Sequence, residues 1–122
     1  MRRARILVVV ATLIAAFSLV ALSPAASAAP GGCGTVGRFC AYKDVNYFNG
    51  PWAWYNSENN WHDWTIADRD SSWWSNQSQS VRVYVNTGYG GSTEVCIRGY
   101  NGDAAAIAVD DRGSSHLEVS GC

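Results

Sequence analysis

Val109-Asp110-Asp111-Arg112-Gly113-Ser114-Ser115 repeats, with changes, a stretch that lies 43 positions earlier, Ile66-Ala67-Asp68-Arg69-Asp70-Ser71-Ser72. Upstream of each lies another matched segment: Tyr42-Lys43-Asp44-Val45-Asn46-Tyr47-Phe48-Asn49 and, 42 positions on, Tyr84-Val85-Asn86-Thr87-Gly88-Tyr89-Gly90-Gly91. An aromatic turn followed by an Asp-x-x-Ser-Ser loop therefore occurs twice at nearly one period. This is the mark of two copies of one supersecondary unit, neither able to bury its apolar face alone. Function is to be sought where the copies meet.

The chain opens with Arg2, Arg3 and Arg5, an apolar run from Ile6 to Leu22, and small residues ending in Ala26-Ser27-Ala28. That order reads as a secretory signal peptide over 1-28, the run being short for a membrane span. Of nine basic residues three leave with it, so six remain against ten acids and the mature net charge is −4. Nucleic acid and anionic lipid are poor partners for that balance. An even count of cysteines, Cys33, Cys40, Cys96 and Cys122, in a small exported domain implies two disulfides. Three pairings exist. Glycines around the first loop, and a C-terminus that gains from being tied to a strand, favour Cys33 with Cys40 and Cys96 with Cys122. Closing the longer loop contributes about 3 kcal/mol in the loop-entropy picture.

Residues 29-37 read as an irregular lead-in. From there strands are expected at Phe39–Tyr42, Pro51–Tyr55, Val81–Val85, Thr93–Ile97 and Leu117–Val119, linked by Asn- and Gly-rich turns. A short strand is expected within Trp61–Ile66, a loop over Asp68–Asn76 that includes the Trp73-Trp74 pair, a turn at Gly99–Asp103, and strand or a helical turn at Ala104–Val109. In the return strand Trp52 and Trp54 fall on one face by the period of two. The sum is an all-β sandwich, one domain over 38-122, with its first half at about 38-80 and its second at about 81-122.

These residues resemble the βγ-crystallin Greek key. Its pattern is aromatic, four residues, aromatic, any residue, Gly, followed by an (Asn/Asp)-(Asn/Asp)-x-x-(Ser/Thr)-Ser loop. Tyr84, Tyr89, Gly91, Asp110, Asp111, Ser114 and Ser115 match it in full, whereas the first copy has Asn49 in place of Gly and Ala67 in place of an acid or amide. Two such keys behind a short N-terminal Cys-Cys loop resemble the bacterial metalloproteinase-inhibitor group, peptidase inhibitor family thirty-six. The resemblance implies a secreted, extracellular, monomeric, non-enzymatic βγ-crystallin-like sandwich of two Greek-key motifs, with a secreted protease as partner and inhibition by surface complementarity.

It also implies calcium as a structural cofactor, held by oxygens of the Asp-x-x-Ser-Ser loops. Asp111, Ser114 and the Arg112 carbonyl would serve one site with the Lys43 region. Asp68, Ser71 and the Arg69 carbonyl would serve another with the Val85 region. Hydroxyl-to-backbone bonds that merely close the loop are the competing account. Ala67 ligates nothing, so the two sites should be unequal, with the Asp110–Ser115 loop the better of the two. The family's inhibitors carry a second short Cys-Cys loop as reactive element, whereas Cys96 and Cys122 stand 26 apart here, leaving Gly99–Asp103, with Tyr100 at its tip, and Gly34–Arg38 as the loop candidates.

Six tryptophans and six tyrosines raise an alternative, a binding or structural module recognising glycan or cell envelope. Its surface would draw on Trp61, Trp64, Trp73, Trp74 and Tyr100, because of two adjacent tryptophans in an extended segment one must point outward. His62 and His116, 54 positions apart, offer no metal pair, and no nucleophile elbow is present, so catalysis has the weakest support.

Overall fold

A computed structural model describes residues 28–104 and 111–122. The expected signal peptide, up to residue 27, and the uncertain segment after Ala104 as far as Asp110 lie outside the described residues. Seven strands form two antiparallel sheets. They are β1 (Arg38–Tyr42), β2 (Trp52–Trp54), β3 (Ser72–Asn76), β4 (Ser80–Asn86), β5 (Gly90–Ile97), β6 (Asn101–Asp103) and β7 (Ser115–Val119). The first sheet has the order β2-β1-β3-β6 and the second β5-β4-β7. β6 comes from the second half of the chain yet completes the first sheet. In return the first half sends Glu58 to a single bridge with His116 on the edge of the second. The halves are thus exchanged, and neither sheet is complete without the other half.

Alternation along the strands builds the core. Phe39 and Ala41 of β1, Trp54 of β2, Trp73 of β3, Val81 and Val83 of β4, and Ile97 of β5 meet between the sheets, joined by Trp61 and Ile66. The opposite face of the first sheet is also covered. Cys40, Tyr42 and Trp74 pack there with Cys33 and, at the margin, Ala29, Tyr47 and Ala53. The cover is the lead-in, fastened by the Cys33–Cys40 disulfide, by Tyr42 Oη donating to the Gly31 carbonyl at 3.3 Å and by Asn76 Nδ2 donating to the Cys33 carbonyl at 2.9 Å. The second disulfide joins Cys96 to Cys122.

The two aromatic turns superpose in conformation. Asn46, Tyr47 and Asn49 have φ of 57°, 63° and 51°, and Gly88, Tyr89 and Gly91 have 66°, 61° and 73°. Asn49 thus occupies the left-handed position where the second copy has Gly91, steadied by its amide donating to Asp44 Oδ2 at 2.6 Å. Within each turn the tyrosines meet edge to face, Tyr42 with Tyr47 at 5.5 Å and Tyr84 with Tyr89 at 6.2 Å. The last serine of each repeat locks its turn. Ser72 Oγ accepts from the Tyr47 amide at 3.1 Å and donates to the Asp44 carbonyl at 2.7 Å. Ser115 Oγ does the same with the Tyr89 amide at 3.1 Å and the Asn86 carbonyl at 2.6 Å.

Three local expectations are corrected. Of Asp68–Asn76, expected as loop, Ser72–Asn76 is β3, because it pairs along all of β1 and buries Trp73 in the core. Trp61–Trp64 forms a 3-10 turn rather than a strand, capped by Asn60, whose side chain accepts from the His62 amide. Asn60 at the cap draws the chain into that turn, and the strand contact moves back to Glu58. Asn101–Asp103, expected as turn, is β6, because only glycine fits at 102: a Cβ there would stand 2.4 Å from Trp74 Cε3. The strand crosses the indole on its bare glycine.

Replacing Ser115 by Ala removes two part-buried hydrogen bonds together, those to the Tyr89 amide and the Asn86 carbonyl. Unfolding in urea should show a loss of about 1–3 kcal/mol, and Ser72→Ala a comparable loss; a Ser115→Ala protein as stable as the parent would contradict the locking role.

Candidate functional sites

Strand directions give the sandwich two unlike ends. β1 and β4 run into the aromatic turns and β3 and β7 leave the Asp-x-x-Ser-Ser loops, so all four repeat elements gather at one end. There the two loops cross. The Asp68 amide donates to the Gly113 carbonyl and the Asp111 amide to the Asp70 carbonyl, each at 2.9 Å, so the crossing is reciprocal. Both aspartates adopt left-handed φ, 54° at Asp68 and 59° at Asp111. Each loop also returns to its own half: the Ser71 amide donates to the Tyr42 carbonyl and the Ser114 amide to the Tyr84 carbonyl, both at 2.8 Å.

The crossing changes how the oxygens are grouped. Ser114 Oγ lies 3.3 Å from Asp68 Oδ1, so the hydroxyl of the second loop meets the carboxylate of the first beside the Tyr84-Val85 segment. Ser114, expected in one group with Asp111, thus touches an acid of the other expected group. Ser71 is held beside Tyr42 and Lys43, and Lys43 itself extends its ammonium over the Trp52 ring at 4.9 Å. Ala67, the residue that breaks the acidic pattern, packs against the core, which gives its methyl group a structural role. Among the described residues no three His, Cys, Asp or Glu side chains cluster as a metal site. A cation here would depend on hydroxyl and carbonyl oxygens, the mixture a hard divalent ion accepts.

Behind the crossing lies a buried pair of acids that sequence reasoning missed. Asp70 is fully buried, its Oδ1 accepting from the Gly113 amide at 2.8 Å and its Oδ2 from Trp73 Nε1 at 2.7 Å. Glu94 is buried beside it, with Oε1 accepting from the Arg112 amide at 3.2 Å. Glu94 Oε2 is buried with no hydrogen-bond partner. Burial beside the Asp70 carboxylate favours the neutral, protonated form of Glu94. Burial first, and then the charge of Asp70, push Glu94 up to about 9. Burial also raises Asp70, but the Gly113 and Trp73 donors pull it back. A sequence signal did exist: Asp70 stands in the repeat where the second copy has Gly113, and a Cβ at Gly113 would collide with Asp70 Oδ2. An acid in one copy requires a glycine in the other.

His116 is equally buried and holds no charge. Its Nδ1 accepts from Trp61 Nε1 at 2.9 Å, so the ring proton is on Nε2, which donates to the Asn56 carbonyl at 3.1 Å. Phe39 and Trp54 crowd the ring at 4.6 and 4.9 Å, and burial lowers its affinity for a second proton to about 3. It is a packing residue and not a base.

The tryptophan surface is largely corrected. Trp61 and Trp73 are 0 % exposed and Trp74 is 5 % exposed, whereas Trp64 and Tyr100 are 44 % and 56 % exposed. Alternation does send Trp73 and Trp74 to opposite faces, but the lead-in buries the outer one. Trp61 turns inward from its 3-10 turn to stack on Trp54 at 5.2 Å, while Trp64 lies on the surface, donating to Glu58 Oε2 at 3.3 Å.

Exchanged sheets, paired aromatic turns and crossing serine loops define a βγ-crystallin domain, and the solved structures agree. The chain is similar to a structure described under the evolution of the eye lens βγ-crystallin domain fold, with TM-score 0.66 and 15% identity over 75% of this chain and 94% of that one. It is similar to a βγ-crystallin from Ciona intestinalis, with TM-score 0.61 and 17% identity over 68% of this chain and 100% of that one. A doubly substituted βγ-crystallin domain from Clostridium beijerinckii gives TM-score 0.58 and 19% identity over 68% and 97%. At these identities the likeness shows the fold. No curated protein matches the chain. Peptidase inhibitor family I36 matches it over residues 26–96, and the chain belongs to that family.

The buried acids fix a pH dependence. The folded pKa of Glu94 is raised from 4.5 to about 9, so its contribution to stability is fully present below pH 4.5 and is lost as pH rises toward 9. His116 is shifted the other way, from 6.5 to about 3, so its contribution is present above pH 6.5 and lost as pH falls toward 3. Urea midpoints measured across that range should fall toward alkaline pH for the parent. Glu94→Gln, which keeps the shape of the side chain and removes the charge, should flatten that limb and be the more stable protein at its alkaline end.

Proposed function

We propose that this protein is a secreted inhibitor of metalloproteinases that acts by occupying the protease cleft, is not itself catalytic, and works as a monomer. The match to a peptidase inhibitor family over residues 26–96 carries the reading, and it supports a peptidase as partner. The fold supports it, since two disulfides and locked turns leave little backbone freedom to lose on binding. Among the described residues no helix is long and apolar enough to cross a membrane. The arginine-led apolar start supports export to the extracellular space. The rival glycan or envelope module is weakened, because three of its five surface residues, Trp61, Trp73 and Trp74, are buried.

Calcium belongs to the same reading as a stabiliser. One site would take Asp68, Ser114 and oxygens of the Arg69 and Val85 segments. Its symmetric counterpart would take Asp111, Ser71 and oxygens of the Arg112 and Lys43 segments. The contact of Asp68 Oδ1 with Ser114 Oγ across the two halves is what favours the first.

Titration of the mature chain against a thermolysin-type metalloprotease should remove activity near equimolar ratio, while full residual activity at a large molar excess would refute inhibition of that class. Calcium at several millimolar should raise stability by about 1 kcal/mol over chelator. Asp68→Ala should shrink that gain, and a melt identical with calcium and with chelator would remove the ion from the account.

A further inference from the structure

We infer that the end of the sandwich opposite the crossing loops is the surface that enters the protease, a row of Tyr55, Val36 and Tyr100 set along the strand ends of the first sheet. This rests on the inhibitor reading and assigns it a surface. The two loop candidates lie more than sixty residues apart in the chain. The sheet brings them together. Arg38 pairs with Asn76, Phe39 with Trp54 and Ser75 with Asn101, so Tyr55, Arg38, Asn76 and Tyr100 fall at one register level across β2, β1, β3 and β6. Val36 projects from the loop two residues before Arg38. The row is 67 % exposed at Val36, 54 % at Tyr55 and 56 % at Tyr100. These are three of the six large hydrophobic side chains that are exposed among the described residues, and they gather at one end.

The row is held rigidly. The Val36 loop is closed by the Cys33–Cys40 disulfide, and Asn76 grips both of its ends: its carbonyl accepts from the Gly37 amide at 2.7 Å and its side chain donates to the Cys33 carbonyl at 2.9 Å. The next residue, Gln77, accepts the Tyr100 amide through its carbonyl at 3.0 Å. A Cβ at Gly99 would stand 2.3 Å from the Ser78 carbonyl oxygen, so the turn after β3 supports the second loop at contact distance. Tyr55 is covered on one side by the Arg38 guanidinium at 4.8 Å. Three strand spacings span about 14 Å, the length of about four residues of extended peptide. An exposed apolar row of that length, fixed before binding, suits a cleft that accepts extended substrate with apolar side chains. No bond need be cut.

The test uses the mature chain, Val36→Asp and Tyr100→Ala singly and together, and Phe48→Ser as a control, since Phe48 is as exposed as Val36 but lies at the other end. Thermal melts confirm folding. Inhibition constants and direct binding are read against a panel of secreted metallo- and serine endopeptidases, with an active-site-directed small molecule as competitor. Each substitution in the row should weaken inhibition about tenfold or more, as loss of a central apolar anchor does. Phe48→Ser should not, and the competitor should displace the parent. A parent that inhibits while both row variants inhibit equally well overturns the surface and leaves the inhibitor reading standing. A parent that neither inhibits nor binds any protease in the panel overturns both.

Discussion

The reciprocal crossing of the two Asp-x-x-Ser-Ser loops is the constraint on which the rest depends. Asp68 and Asp111 reach across to Gly113 and Asp70, and each loop's serines turn back to lock the aromatic turn of its own half. Because the bonds are mutual, neither half can form its turn, its loop and its strand exchange alone. Asp70 sits at the centre. Its carboxylate accepts from both halves, through Trp73 of the first and Gly113 of the second, and so ties the core of one sheet to the loop of the other.

The same centre shows how two near copies became unequal. In the first repeat Asp70 fills the space left by Gly113 in the second, and its charge helps to keep the buried Glu94 protonated. Ala67 turns from ligand chemistry to core packing. The symmetry is therefore one of backbone, with the buried chemistry concentrated on one side. A buried acid pair of this kind gains little from being charged and much from being satisfied, which is why its hydrogen bonds come almost wholly from backbone amides and an indole.

The other end is governed by different means. No repeat element lies there, and order comes from disulfides and from Asn76, a single residue that meets the first loop with both its side chain and its carbonyl. The lead-in that these bonds fasten covers Trp74 and gives the first sheet two buried faces. Order at this end is therefore independent of the backbone symmetry at the other.

The repeat of Tyr-turn and Asp-x-x-Ser-Ser, the alternation of Val81 and Val83, and the even set of cysteines determined the two-sheet fold and the left-handed turns, because those depend on local chemistry at fixed spacing. The sequence also marked Asp68 and Ser114 as site residues. It could not say that they meet each other across the halves, since that follows from the crossing of loops distant in sequence. Trp61, Trp73 and Trp74 read as surface for the same reason: whether an aromatic residue is exposed depends on what lies over it, and here the cover is a 3-10 turn and the lead-in. The Asp70–Glu94 pair and the alignment of Val36 with Tyr100 were likewise decided only by the tertiary structure, because loop crossing and strand pairing set which distant side chains come to lie side by side.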